Sequence, residues 1–200
     1  MREAPAEFRQ RILAWLSKNV PQDRIEHILR VEQLAIDLAK FHNLDVHKAA
    51  QAGLMHDLAK YFKSQKLLQI ARQEKKAIDI DPVAEMNPHL LHAEVSAIVA
   101  RDELGIKDPE ILAAIADHTL GRPGMSPLSC VVFLSDSLEP GRGDSLELIA
   151  LRQLCYQDLN AAVWMTCDYT LQYLLDQQWL IHPRALLTRN WFMQATKQVQ

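Results

Sequence analysis

Apolar residues in this chain of 200 recur every three or four positions, and no stretch alternates convincingly between apolar and polar, so the sequence is committed to helices packed on helices. Phe8, Ile12, Leu13 and Leu16 share one face after Pro5, and Ile25, Ile28, Val31, Leu34, Ala35 and Leu38 share a second. Ala49, Ala50, Gly53, Leu54 and Leu58 mark a third helix, short and rich in small residues, which suits a helix buried in the middle of a bundle. Leu67, Leu68 and Ile70 suggest a helix within the less regular stretch 64–87, and Arg72-Gln73-Glu74-Lys75-Lys76 reads as a solvated face. Pro88 suits the first position of a helix that carries Leu91, Val95, Ile98 and Val99 and stops near Gly105. Asp108 followed by Pro109 starts a helix running to about His118, and Ser126-Pro127 starts one that ends near Asp136. Gly121–Gly124 and Glu139–Gly143 read as loops; further helices follow from about Asp144, from Asp158 to Gln177, and from Pro183 to the end. With only 6 Gly, a sandwich or barrel rich in tight turns is disfavoured. No repeat, linker or composition break divides the chain, which reads as one all-α domain over residues 1–200.

Composition narrows the chemistry. Hydrophobic residues at 48% and charged residues at 24% exclude a disordered chain. A net charge of -3 argues against a bulk grip on nucleic acid or on an anionic membrane, so a polyphosphate ligand has to be met by local cations. The three cysteines, Cys130, Cys155 and Cys167, form no CxxC pair. A disulfide framework or thiolate cage is therefore not expected, and a reducing cytoplasm is. Residues 1–9 lack the apolar core of a secretory signal, and the run from Leu128 to Leu134 is too short to span a bilayer.

The positions of histidine and aspartate carry the functional signal. His27, His56-Asp57, His92, His118 and Asp136 fall on separate expected helices, mostly beside apolar residues such as Leu54, Leu58, Leu91 and Leu134. An ionised aspartate beside an apolar stripe is costly to bury unless it is paired or binds a metal. Imidazole and carboxylate without thiolate suit Fe, Mn or Zn with positions open to water, and a carboxylate can bridge two ions. Each residue alone has a plainer explanation: a single His-Asp dipeptide arises often by chance, and a lone helical histidine is commonly a satisfied core or surface group. His42, His47, His89 and His182 fall outside the set, with His89 a rival to, or a support for, His92. Lys60 follows His56 by one turn and is placed to reach a phosphate oxygen. Arg122 and Arg142 lie on Gly/Pro loops just after ligand-bearing helices, where a guanidinium fork would meet phosphate or stand as a rim charge with no role. Trp179, Trp191 and Phe192 in the tail are open between core, an adenine pocket and a dimer contact.

His27-Ile28-Leu29-Arg30-Val31, Ala52-Gly53-Leu54-Met55-His56-Asp57-Leu58-Ala59-Lys60, Leu90-Leu91-His92, the run from Ala114 to Ser126, and the run from Phe133 to Arg142 together resemble the bacterial YqeK-type HD-domain hydrolases, the symmetrical bis(5′-nucleosyl)-tetraphosphatases. The likeness covers about residues 24–158 and is most specific in His118-Thr119-Leu120-Gly121-Arg122-Pro123 and Glu139-Pro140-Gly141-Arg142. Asp117 and Ser135 depart from the family pattern, and the first 20 residues and the tail past about Leu180 match weakly. The resemblance implies an HD-domain helical bundle with an iron centre of one or two ions, for which Mn or Zn could substitute. It places the first ion on His27, His56, Asp57 and Asp136, with His92 and His118 near a second ion or the phosphates. It implies nucleotide contacts from His27, Lys60, His92, His118, Thr119, Asp136 and Arg142, and from the stretch Ile181–Leu186. The expected reaction is symmetrical hydrolysis of diadenosine tetraphosphate to two ADP by attack of a metal-bound hydroxide on an inner phosphorus. Asp57 and Lys60 are the expected catalytic residues, and a homodimer is left open. The alternatives are an HD phosphohydrolase of another nucleotide, or a nucleotide-sensing module without catalysis.

Overall fold

A computed structural model describes residues 4–74 and 78–197. The expectations that fall on Met1-Arg2-Glu3, on Lys75 and Lys76 of the charged run, and on the last three residues lie outside that range. Among the described residues the order is α1 (Pro5–Asn19), α2 (Gln22–Phe41), α3 (Val46–Met55), α4 (Ser64–Gln73), α5 (Pro82–Met86), a 3₁₀ turn (Pro88–Leu91), α6 (His92–Asp102), α7 (Pro109–Asp117), α8 (Pro127–Leu138), a 3₁₀ turn (Pro140–Arg142), α9 (Leu146–Cys155), α10 (Leu159–Asp176) and α11 (Pro183–Lys197). None of these helices is long and apolar enough to cross a membrane.

Side-chain caps set the starts of α3, α5, α7, α8, α9 and α10. Asp108 accepts from the backbone N–H groups of Glu110 and Ile111, with Pro109 at the first turn of α7. Ser126 accepts from Ser129 N–H ahead of Pro127 in α8, and Asp158 from Ala161 N–H ahead of α10. Each such cap contributes about 1 kcal/mol by satisfying a donor that the helix leaves open. Pro88 initiates a 3₁₀ turn and not the α-helix itself; α6 begins at His92.

The small third helix lies at the centre. α3 packs against α2, α7 and α8, and it buries Ala49, Ala52, Gly53, Leu54 and Met55. Gly53 lets the backbones of α3 and α2 close up: a Cβ there would stand 3.1 Å from Glu32 Cα. α3 ends at Met55, so His56 and Asp57 lie just beyond it. The bonds Leu58 N–H to Met55 O and Lys60 N–H to Asp57 O tighten the chain into three-residue turns there. One apolar cluster runs from Ile12 through α2, α3, α6, α7 and α8 to Phe192 on α11. α10 packs on α8, α9 and α11. α11 is pinned to the loop after α7 by the Thr188 hydroxyl, which donates to Leu120 O across 68 residues of sequence.

Candidate functional site

The four histidines are all oriented from the same ring position. His56 Nδ1 donates to Gly53 O at 2.7 Å, His92 Nδ1 to His89 O at 2.6 Å and His118 Nδ1 to Ile115 O at 2.8 Å. Each of these three stands at a helix boundary, where main-chain carbonyls are open to a side-chain donor. His27, inside α2, uses a carboxylate: its Nδ1 lies 3.0 Å from Glu139 Oε1. Carbonyl and carboxylate oxygens only accept, so Nδ1 carries the proton in every ring and Nε2 presents a lone pair.

Those lone pairs converge on Asp57, which is 1% exposed. His27 Nε2 and His56 Nε2 face Asp57 Oδ2 at 3.9 and 3.4 Å, and they face Asp136 Oδ1 at 3.1 and 3.8 Å. On the other side, His92 Nε2 and His118 Nε2 face Asp57 Oδ1 at 3.3 and 3.5 Å. The His92 and His118 Nε2 atoms are 3.1 Å apart, an arrangement that two lone pairs tolerate only with a cation or proton between them. His27 Nε2, His56 Nε2 and Asp57 Oδ1 are buried without a hydrogen-bond partner. Groups of this kind are costly to bury unless something fills the gap. His27, His56 and Asp57 form one ligand group, His56, His118 and Asp136 a second, and Asp57, His92 and His118 a third. Nitrogen and oxygen donors with orphaned lone pairs fit a divalent first-row metal, and Asp57 presents one oxygen to each side.

The electrostatics follow from burial. Burial opposes ionisation of Asp57, but the neighbouring His56, His118 and His92 outweigh it and hold this carboxyl well below its usual range. Asp136 is also depressed: burial works against it, and His27, His56 and His118 overcome that. Burial drives His118 toward its neutral form. At His56 burial pulls the same way, but the Asp57 charge outweighs it and the pKa rises, so a proton competes there with a metal ion.

Around the cluster, Lys60 Nζ and Thr119 Oγ1 donate to His92 Nε2 at 3.2 and 3.1 Å. Arg142 caps Asp136, with Nη2 at 2.7 Å from Oδ1 and Nε at 2.9 Å from the main-chain O. Lys60, His118, Thr119, Asp136 and Arg142 border one cavity of about 500 Å³, which Phe133, Tyr169 and Tyr173 also line. Arg122 does not line it. Its guanidinium is paired with Asp117, a buried carboxyl whose pKa burial raises while the Arg122 charge pulls it back. In place of a free guanidinium on the loop, Arg122 has a partner one turn upstream. Of the stretch 181–186, Ala185 lines this cavity and His182 an adjoining one, while Arg184 pairs with Glu94. Phe192 is core; Trp179 lines the adjoining cavity, and Trp191 is 41% exposed. His42, His47 and His182 lie away from the cluster: His42 bonds Cys155 O, His47 is exposed and His182 faces Asp81.

Two residues escaped the sequence reading. Glu139, 2% exposed, takes His27 on one oxygen and Arg30 Nε at 2.6 Å on the other, with Gly141 N–H also donating to it. It stands at the head of the Glu-Pro-Gly-Arg segment, so an acid followed by a proline turn was the signal. Arg24, one turn before His27 on α2, places Nη1 3.1 Å from Asp57 Oδ2. The three-residue spacing from His27 was its signal.

Comparison with known proteins locates this arrangement. The HD domain profile matches residues 24–141. The symmetrical bis(5′-nucleosyl)-tetraphosphatase of Bacillus subtilis (strain 168) is 34% identical over 185 residues, covering 92% of this chain and 97% of that one. The enzyme of the same description from Staphylococcus aureus is 29% identical over 187 residues, covering 92% of this chain and 93% of its own. A crystal structure from Clostridium acetobutylicum, described as a predicted HD superfamily hydrolase involved in NAD metabolism, superposes with a TM-score of 0.87 at 33% identity, covering 93% of this chain and 97% of that one.

Proposed function

The chain belongs to the HD-domain family, among the symmetrical bis(5′-nucleosyl)-tetraphosphatases, and from that premise we propose that it hydrolyses diadenosine tetraphosphate to two ADP at the cluster centred on Asp57. The observation that carries the reading is the convergence of four histidine Nε2 atoms on the two oxygens of one buried aspartate. His27, His56, Asp57 and Asp136 would hold one ion, and Asp57, His92 and His118 a second. Bound there, a divalent metal supplies a water of lowered pKa and draws charge from phosphoryl oxygens. Iron is the proposed metal, with Mn or Zn as substitutes.

The chain's own groups do the rest. Lys60, hydrogen-bonded to His92 at the cavity edge, sets an ammonium against the phosphates. Arg142 brings a guanidinium beside Asp136, so cationic groups stand where the departing ADP gathers negative charge. Thr119 offers a hydroxyl on the same wall. Burial of the cluster strengthens each of these interactions by excluding water. Arg122 has no part in this account. Three buried free thiols, Cys130, Cys155 and Cys167, support a cytoplasmic location.

The test is product analysis on protein whose metal content is measured in parallel. Diadenosine tetraphosphate should give ADP alone. AMP with ATP, or no turnover with Fe, Mn or Zn, would overturn the assignment.

A further inference from the structure

Lys60 lines two cavities. One is the cavity bordered by Asp136 and Arg142; the other, of about 560 Å³, is lined by Arg24, Tyr61, Lys63, Ser64 and His89, and among the described residues Lys60 alone is common to both. The second groove is a concentration of positive charge in a chain of net charge -3. Arg24, Lys60 and Lys63 line it, and among the described residues no carboxylate does. Its inner end is at the cluster, because Arg24 Nη1 lies 3.1 Å from Asp57 Oδ2. Tyr61 at its mouth is 47% exposed. A third cavity, of about 720 Å³, extends the first through Thr119, Leu120, Thr170 and Leu174, but neither Lys nor Arg lines it.

The substrate makes a demand that one cavity does not meet. Symmetrical cleavage breaks the central anhydride, so two identical arms, each a nucleoside carrying two phosphates, leave the cluster in different directions. Each arm brings its own negative charge. We propose that the groove of Arg24, Lys60, Tyr61, Lys63 and His89 seats the second nucleotide arm, its diphosphate held by the three cations and its base against the Tyr61 ring; this rests on the function proposed above. The cavity beyond Arg142 takes the first arm. A guanidinium and two ammonium groups match a diphosphate, and an aromatic face accepts any base by stacking. Lys60 then touches both arms, at the junction between them.

The experiment uses metal-loaded protein and two exposed substitutions away from the ligand cluster, Tyr61→Ala and Lys63→Glu. The probes are ADP and the methylene-bridged analogue of diadenosine tetraphosphate, which is not cleaved at its centre, both titrated calorimetrically. Wild type should bind ADP at two sites per chain. Each variant should weaken the analogue about tenfold, the scale of one lost charge-assisted or stacking contact, while the tighter ADP site, the iron content and the melting temperature stay unchanged. Analogue affinity within about twofold of wild type in both variants, or a single ADP site in wild type, would overturn the groove assignment. Turnover of diadenosine tetraphosphate by wild type is followed separately. Its absence together with a weakened second ADP site would sink the hydrolase reading and leave the groove standing as a nucleotide site.

Discussion

Glu139 and His27 are joined across 112 residues of sequence by a 3.0 Å hydrogen bond, and that bond decides which nitrogen of His27 faces the His/Asp cluster. Arg30 and Gly141 N–H occupy the other oxygen, so the carboxylate is fixed from both sides and held below its ordinary pKa, the Arg30 and His27 hydrogen bonds outweighing burial. Glu139→Ala should weaken metal binding about 10- to 100-fold, the usual effect of removing a carboxylate behind a ligating histidine. Glu139→Gln, which keeps an acceptor oxygen, should recover part of it. Metal retained per chain across a chelator series measures both.

Asp57→Ala removes the one carboxylate that faces all four imidazoles. The variant should lose bound iron and hydrolysis together while its far-ultraviolet circular dichroism stays helical. Full activity would contradict the site.

Gly53→Ala sets two effects against each other. Alanine in a helix interior gains about 1 kcal/mol in propensity over glycine. The new Cβ, however, meets the Glu32 backbone at 3.1 Å and Ala35 Cβ at 3.4 Å, and a backbone neighbour cannot rotate away. Overpacking at a close helix crossing costs about 1–3 kcal/mol, so a net loss of about 1 kcal/mol is expected from urea denaturation.

Arg122→Ala should leave iron content and kcat unchanged while lowering stability, because it strips the partner from buried Asp117. Burial raises the folded-state pKa of Asp117 above the unfolded value, so its favourable contribution is present at low pH and lost as pH rises through the folded pKa. Without Arg122 that pKa climbs further. The stability gap between variant and wild type should therefore be larger at pH 7 than at pH 5, which thermal melts at the two values would show.

Burial pushes the thiols of Cys130, Cys155 and Cys167 up to about 12. At pH 8 only about one in 10⁴ of each is thiolate, the reactive form. Ellman's reagent should find no fast-reacting thiol in the native protein at pH 8, and three after unfolding.

Much of the helical order was legible because its signals are local. Asp108, Ser126 and Asp158 cap the helices that their positions predict. The five-residue α5 and the 3₁₀ turn at Pro88–Leu91 were not legible, since neither is long enough to show a period. The residue types of the cluster could be read from the chain, but the aim of each ring could not. Aim is set by the acceptor on Nδ1, and those acceptors are three main-chain carbonyls and Glu139. The Arg122 partner was hidden for a similar reason: loop position suggests a free cation, whereas a buried acid five residues earlier takes it.

The cavity wall facing Lys60 and Arg142 is drawn from Thr166, Tyr169, Tyr173 and Ala185, and Thr188 ties the loop after His118 to α11. The six side chains of the cluster all precede that wall in the chain, with Asp136 the last of them. A chain cut near residue 160 would keep those six side chains and lose the wall that encloses them.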